Sequence, residues 1–306
     1  MALKDRISLG MSLPHRHPDG IAPATVRQVV QRAEALGFAD LWVTDNIIDP
    51  ARCFNALTVL TYAAGMTTTI RLGVSVLVLP IYHPIHVAHQ VATMDYLSGG
   101  RAILGVGLGR YDEYPPFGIP PERRVRRFTE SVELMKKLWT EDDVTYQGEI
   151  FQFTGGGLGT KPVQKPHPPV WIGGHHADAI RRAARIADGW MGAGGSTKAA
   201  FAASIPMLRE AVSQAGRDAD AYPISKRVFM SVHERPEVAR AEVQRWYTEV
   251  YHNPDGVNTS GVHGTPEQVR EQLDELASAG ASHLLLNPVA RYEENVEAVA
   301  EIVGLR

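Results

Sequence analysis

Apolar residues along this chain come in short, nearly continuous runs. Each run is followed by a polar or glycine-rich turn, then by a longer stretch in which apolar positions recur every three or four residues. Unbroken apolar runs are what strands buried on both faces of a parallel sheet require, and the three- and four-residue spacing is that of helices burying one face. The pattern is clearest between residues 70 and 110. Ile70 to Leu79 is rich in Val, Leu and Ile without alternation, and Pro80 and Pro84 end it and open a helix predicted over His86 to Leu97. Gly99 and Gly100 stop that helix, and Ala102 to Val106 reads as the next strand, with Gly105, Gly107 and Gly109 around its end.

The same alternation runs from end to end. Strands are predicted over Ile7 to Leu13, Asp40 to Thr44, Pro169 to Gly173, Gly189 to Gly192, Ile224 to His233 and His283 to Asn287. Helices are predicted over Ala24 to Leu36, Phe54 to Ala64, Ala177 to Ala187, Lys198 to Gln214, Glu237 to Tyr251, Pro266 to Ala279 and Tyr292 to Val303. After Pro120-Pro121 the residues Val125, Phe128, Val132, Met135 and Leu138 mark a further long amphipathic helix. One stretch breaks the rhythm: Val144 to Phe153 reads as a hairpin around Gln147-Gly148, and Gly155 to Pro169 is an irregular Gly- and Pro-rich loop. A loop this long belongs to the rim of a ligand site or is simply an excursion; with Asn253 to Gly264 it is expected at the rim. About eight strands, nearly all followed by a helix, make the tally of an α/β (β/α)8 TIM barrel, expected as a single domain over residues 1–306 with insertion loops at its C-terminal rim. A doubly wound sheet would place G-x-G-x-x-G after the first strand, where this chain has Pro14-His15-Arg16-His17.

Composition narrows the function. A 44% hydrophobic and 21% charged chain with net charge -3 gives no electrostatic reason to expect nucleic acid. The one basic run, Arg123, Arg124, Arg126 and Arg127, reads as a solvated helix face balanced by Glu130 and Glu133. A single cysteine, Cys53, read as a helix residue, allows no intrachain disulfide. With no apolar run of about 18 residues and an N-terminus that enters a strand directly, no membrane span is expected and the expected compartment is the cytoplasm.

Two glycine-rich starts carry the clearest chemistry. Gly173-Gly174-His175-His176 and Gly194-Gly195-Ser196 each follow a strand and open a helix, so their free N–H groups and the positive end of the helix dipole suit a phosphate. Gly105-Val106-Gly107-Leu108-Gly109 sits after the wrong strand for a nucleotide fingerprint. The histidines, including His83, His86 and His89 at helical spacing, lack the carboxylate or cysteine partners of a catalytic metal site, so none is expected. No G-x-S-x-G elbow is present, and an enzyme of this kind would need a cofactor for its hard chemistry.

The run SVLVLPIYHPIHVAHQVATMDYLSGGRAILGVGLG, then FGIPPERRVRRFTESVELMKKLW, PPVWIGG and AARIADGW, together resemble the bacterial luciferase-like monooxygenase superfamily from about residue 5 to residue 300. The branch they look most like is the actinobacterial oxidoreductases that use the deazaflavin coenzyme F420; other branches use FMN and O₂, with reduced flavin supplied by a partner reductase. The resemblance implies a TIM barrel that acts on a small-molecule substrate, pairs with a second copy of itself as a homodimer, and draws electrons from a flavin or F420 reductase. It implies a non-prolyl cis peptide at Ser75-Val76 behind the flavin ring, a ring contact at Val78, and a phosphate cradle of Gly174, His175, His176 and Ala177 opposite Ala193, Gly194 and Gly195. Gly107 is expected to open space for the ring. Relatives often carry Asp-His after the second strand, the histidine lying at the reacting face, whereas this chain has Asp45-Asn46. Asparagine cannot exchange a proton near neutral pH, so that role does not carry over to Asn46. Asp45, Glu113, His15 and His17 are the remaining candidate substrate or acid/base groups. A barrel that binds a flavin or other ligand without catalysis is the alternative that Asn46 suggests.

Overall fold

The computed structural model describes residues 1–49 and 51–306. Eight parallel strands close on themselves: β1 (Ser8–Ser12), β2 (Asp40–Val43), β3 (Arg71–Val78), β4 (Ala102–Gly107), β5 (Val170–Gly173), β6 (Gly189–Gly192), β7 (Ile224–Val232) and β8 (His283–Pro288). Each pairs with the next in the chain, and β8 pairs back onto β1 through Ser8↔His283 to Met11↔Leu286. This is the (β/α)8 barrel that the strand tally predicts.

The helices longer than four residues are α1 (Pro23–Leu36), α2 (Ala56–Ala64), α3 (Pro84–Ser98), α4 (Arg124–Thr140), α5 (Ala177–Ile186), α6 (Lys198–Gln214), α7 (Pro236–Glu249), α8 (Pro266–Ser278) and α9 (Tyr292–Val303). Local chemistry sets their ends. Proline fills the first turn of α1, α3, α7 and α8, where its missing N–H costs nothing, and left-handed Gly37, Gly99 and Gly304 close α1, α3 and α9. The Asn55 side chain caps α2, and Thr265 with Gln268 forms a capping box on α8. Cys53 precedes α2 in a two-residue strand paired with Arg16–His17, so it is not a helix residue, and burial pushes its thiol up to about 11.

Two departures bear on the site. α7 packs Trp246 and Tyr247 against Phe229, near the C-terminal end of β7. The chain then adds a short parallel strand, Val262–Gly264, beside Met230–Val232 before α8 completes the outer layer. Segment 155–165, expected at the ligand rim, lies at the opposite end. Gln164 donates to the Ala102 carbonyl at the start of β4 and to Asp95 near the end of α3, and Lys161 donates to the Leu138 carbonyl near the end of α4. A connection from helix to strand must reach the sheet where strands begin, which places it away from their C-terminal ends. The hairpin pairs Thr145–Gln147 with Gln152–Thr154 along α4. Glu130 is buried and accepts N–H groups from Glu149, Ile150 and Phe151, so it anchors this hairpin as well as balancing Arg126.

Candidate functional site

The C-terminal ends of the strands surround a cleft of about 560 Å³. On one wall β3 carries a bulge, its register against β4 shifting between Val74 and Leu77, and the Ser75–Val76 peptide is cis as the resemblance implied. The bulge pushes Val76 toward its neighbours. A Cβ at Gly107 would lie 2.6 Å from Val76, and one at Gly173 would lie 2.8 Å from it. Gly107 and Gly173 are therefore required first by Val76, because a side chain at either would enter volume already filled with protein. Gly109 similarly makes room for Val78 and Glu113.

Asp45 follows β2 and is almost wholly buried, while its two oxygens accept the Tyr82 hydroxyl at 2.9 Å and the Val78 N–H at 3.2 Å. Burial raises its pKa to about 6; the Tyr82 and Val78 hydrogen bonds oppose that shift, and the Glu113 charge adds to it. Glu113 accepts the Arg110 N–H at 2.9 Å, and both Asn46 and Glu113 line the same cleft. The candidate histidines do not belong to this constellation. His15 is buried, with one ring nitrogen at 2.7 Å from the Leu13 carbonyl and the other at 2.6 Å from Thr44 Oγ1, and burial lowers its pKa to about 3. It braces the β1 and β2 turns as a neutral ring. His17 lies in a separate groove beside Asp19 and Tyr292.

Across the cleft, the N–H groups of His175, His176 and Ala177 at the start of α5 donate to no protein atom among the described residues, and neither do those of Gly194 and Gly195. The Gly174 N–H donates to the Met191 carbonyl, tying the two turns together. Glycine is needed at two of these positions: Gly174 has φ +147°, and a Cβ at Gly195 would meet the Tyr251 ring at 2.7 Å. Ser75, Val76, Val78, Gly107, Gly174, His175, His176, Ala193 and Gly194 all line the cleft; of the expected cofactor residues, Ala177 and Gly195 do not. Among the described residues no group of three potential metal ligands occurs, and no helix is long and apolar enough to cross a membrane.

Sequence reasoning missed the cations. Arg227 points into the barrel, where it donates to Asn287 Oδ1 at 2.7 Å and to the Ser75 carbonyl at 3.1 Å, and burial lowers its pKa to about 10. Its neighbour Lys226 points outward and donates to the Ala193 carbonyl at 2.5 Å and the Ser196 carbonyl at 2.9 Å, beneath the glycine turn. Arg182 of α5 lies over the Phe128 ring and lines the cleft beside the histidine pair. The signal was available: two adjacent charges inside an apolar strand run, ISKRVFMSV, are too costly to bury without a purpose.

The family model described as luciferase-like monooxygenase matches residues 7–255. A 5,10-methylenetetrahydromethanopterin reductase of Archaeoglobus fulgidus is 33% identical over 69% of this chain and 61% of its own length. An F420-dependent glucose-6-phosphate dehydrogenase of Kineococcus radiotolerans is 29% identical over 74% of this chain and 69% of its own. The alignment thus spans less than two thirds of the first of these relatives. Among solved structures, an F420-dependent secondary alcohol dehydrogenase in complex with an F420-acetone adduct superposes with a TM-score of 0.86 at 21% identity, covering 98% of this chain and 99% of that one, a likeness of fold.

Proposed function

The chain belongs to the luciferase-like monooxygenase family, and from that premise we propose that it is an oxidoreductase that transfers a hydride between coenzyme F420 and a small organic substrate. One observation carries the reading. A single cleft joins a bulged, glycine-flanked wall, two helix starts with unengaged N–H groups, and a buried carboxylate with a pKa near neutrality. The donor set fits the cofactor's chemistry: unengaged N–H groups of residues 175–177 and 194–195 would hold its phosphate, with Arg182 adding charge. Bound there, the deazaflavin would supply the two-electron chemistry.

The chain's own residues would do the rest. Val76 and the β3 bulge would back the ring, and Arg227 fixes that bulge by donating to the Ser75 carbonyl. Asp45 is the group best suited to exchange a proton with substrate, since a pKa of about 6 lets it both accept and return one near neutral pH. Tyr82 orients its carboxylate. Asn46 contributes a hydrogen bond and no proton. A homodimer and an external reductase belong to the same reading and rest on the family resemblance.

Titrating the purified protein with F420 and with FMN tests the proposal. Micromolar F420 binding with turnover of some carbonyl, imine or alkene substrate is the expected result; micromolar FMN binding with none of F420 would overturn it in favour of a flavin monooxygenase.

A further inference from the structure

The main cleft has a side lobe of about 200 Å³. Asp45, Asn46, Val78, Arg110 and Glu113 line both spaces, so the lobe opens off the cleft where the proposed proton-exchanging carboxylate stands. Its other walls are apolar, Ile47, Ile48, Ile81 and Phe117, with Asp49 and Asp112 at the edge. The lobe falls below the roughly 300–1,000 Å³ of pockets for drug-sized ligands, so its occupant must be compact.

Asp45, Glu113 and Arg110 face both spaces, but the remaining charges differ: Arg16, Arg182 and Arg227 on the cleft, Asp49 and Asp112 on the lobe. The cleft holds Arg227, whose hydrogen bonds go to neutral acceptors, and Arg182 beside the glycine cradle. The lobe holds four carboxylates: Asp45, Asp49, Asp112 and Glu113. Its one lining cation, Arg110, is engaged by Asp112 at 3.2 Å and Glu113 at 3.4 Å, while Arg16 outside the lobe pairs with Asp49. Among the described residues no cation facing the lobe is left for a second anion, and the carboxylates of Asp45 and Asp49, whose side chains are buried, repel one, the exposed Asp112 adding less.

We propose that this lobe is the substrate subsite, and that it takes a compact, uncharged alcohol with an apolar body, or in the reverse direction its carbonyl partner, while turning away phosphate esters and carboxylic acids. The inference rests on the cleft being the F420 site. In the oxidative direction the ionised Asp45 would accept the O–H proton, and oxidised F420, held in the cleft, would supply the acceptor for the hydride that the C–H carbon gives up, leaving a ketone or aldehyde. Asp45 gains the proton, so atoms and charge balance.

Matched probes test it: cyclohexanol, cyclohexanecarboxylate and cyclohexyl phosphate, titrated by ligand-observed NMR into the protein with and without F420. Cyclohexanol is expected to bind at least tenfold more tightly than either anion. Ile81→Trp, which fills the lobe, should abolish cyclohexanol binding while F420 binding changes less than twofold. Asp112→Lys, at an exposed position, should improve the carboxylate about tenfold. Equal binding of the carboxylate and cyclohexanol, or cyclohexanol binding that survives Ile81→Trp, overturns the lobe assignment. If cyclohexanol binds in the lobe but F420 does not bind at all, the hydride-transfer reading fails and the lobe assignment stands; if F420 binds and cyclohexanol does not, the reverse holds.

Discussion

Asp45 sets proton affinity against stability. Its carboxyl moves from an ordinary 3.8 to about 6 on folding, so between those values the folded state binds more protons than the unfolded one. Stability contributed by the protonated form is complete below pH 3.8 and is lost as pH rises through 6, a loss of ~3 kcal/mol at most. Asn at this position keeps an acceptor for Tyr82 and Val78 and removes the buried charge. Asp45→Asn is therefore expected to be at least as stable as the native protein in urea at pH 8, while turnover falls ~10²–10⁴-fold. In the oxidative direction, native kcat/KM should rise through an apparent pKa of about 6, and the variant's residual rate should be flat from pH 5 to 8. A limb that persists in the variant would assign the titration to another group.

At the scale of elements, β7 shows what sequence periodicity conveys and what it does not. Apolar runs and caps located all eight barrel strands to within a residue or two, because two-sided burial leaves a direct compositional trace. Alternation along β7 also sends Lys226 outward and Arg227 inward, yet nothing local says that one supports a glycine turn and the other a bulge 152 positions away in the chain. The irregular loop 155–165 was misplaced for a similar reason: composition marks a loop, and only its order after a helix and before a strand says which end it occupies. Lys226 offers a test. Burial, with Arg227 adding repulsion, lowers its pKa to about 7, so its charge beneath the Ala193–Ser196 turn fades as pH rises through neutrality. The phosphodiester of F420 keeps its single charge over the same range, so affinity that falls between pH 6 and 8 would report the lysine. Lys226→Met should weaken F420 about tenfold in a fluorescence titration and leave its deazariboflavin core, which lacks the phosphate, unchanged; equal losses for both would make Lys226 a general support of the turn. For stability the sign is opposite to that of Asp45: between pH 7 and 10.5 the unfolded chain binds more protons, so stability rises with pH.

Across the whole molecule the barrel separates function from support. Its N-terminal half is closed by Asp40, which is fully buried and accepts the Trp42 indole N–H, His283 Nε2 at 2.8 Å and Arg71 at 2.7 Å, with Ser225 bonding the other His283 nitrogen at 2.7 Å. Four strands meet there, β2, β3, β7 and β8, and Gly10 of β1 is glycine because a Cβ would strike Asp40 and Trp42. Burial raises the Asp40 pKa, but the His283 and Arg71 interactions and the Trp42 hydrogen bond outweigh it and hold the carboxyl below its usual range. Removing one partner of such a cluster strands the others, so Asp40→Ala should cost ~3–5 kcal/mol in urea unfolding. Arg71→Met should cost less than Asp40→Ala, since that side chain is 43% exposed, although its loss leaves one oxygen of the fully buried Asp40 without its partner. F420 affinity of the folded protein should be unchanged in both, because the cleft is built on the other ends of the same strands. If Asp40→Ala weakens F420 tenfold or more under conditions where the variant is fully folded, the two faces are coupled through the strands and the division of labour fails.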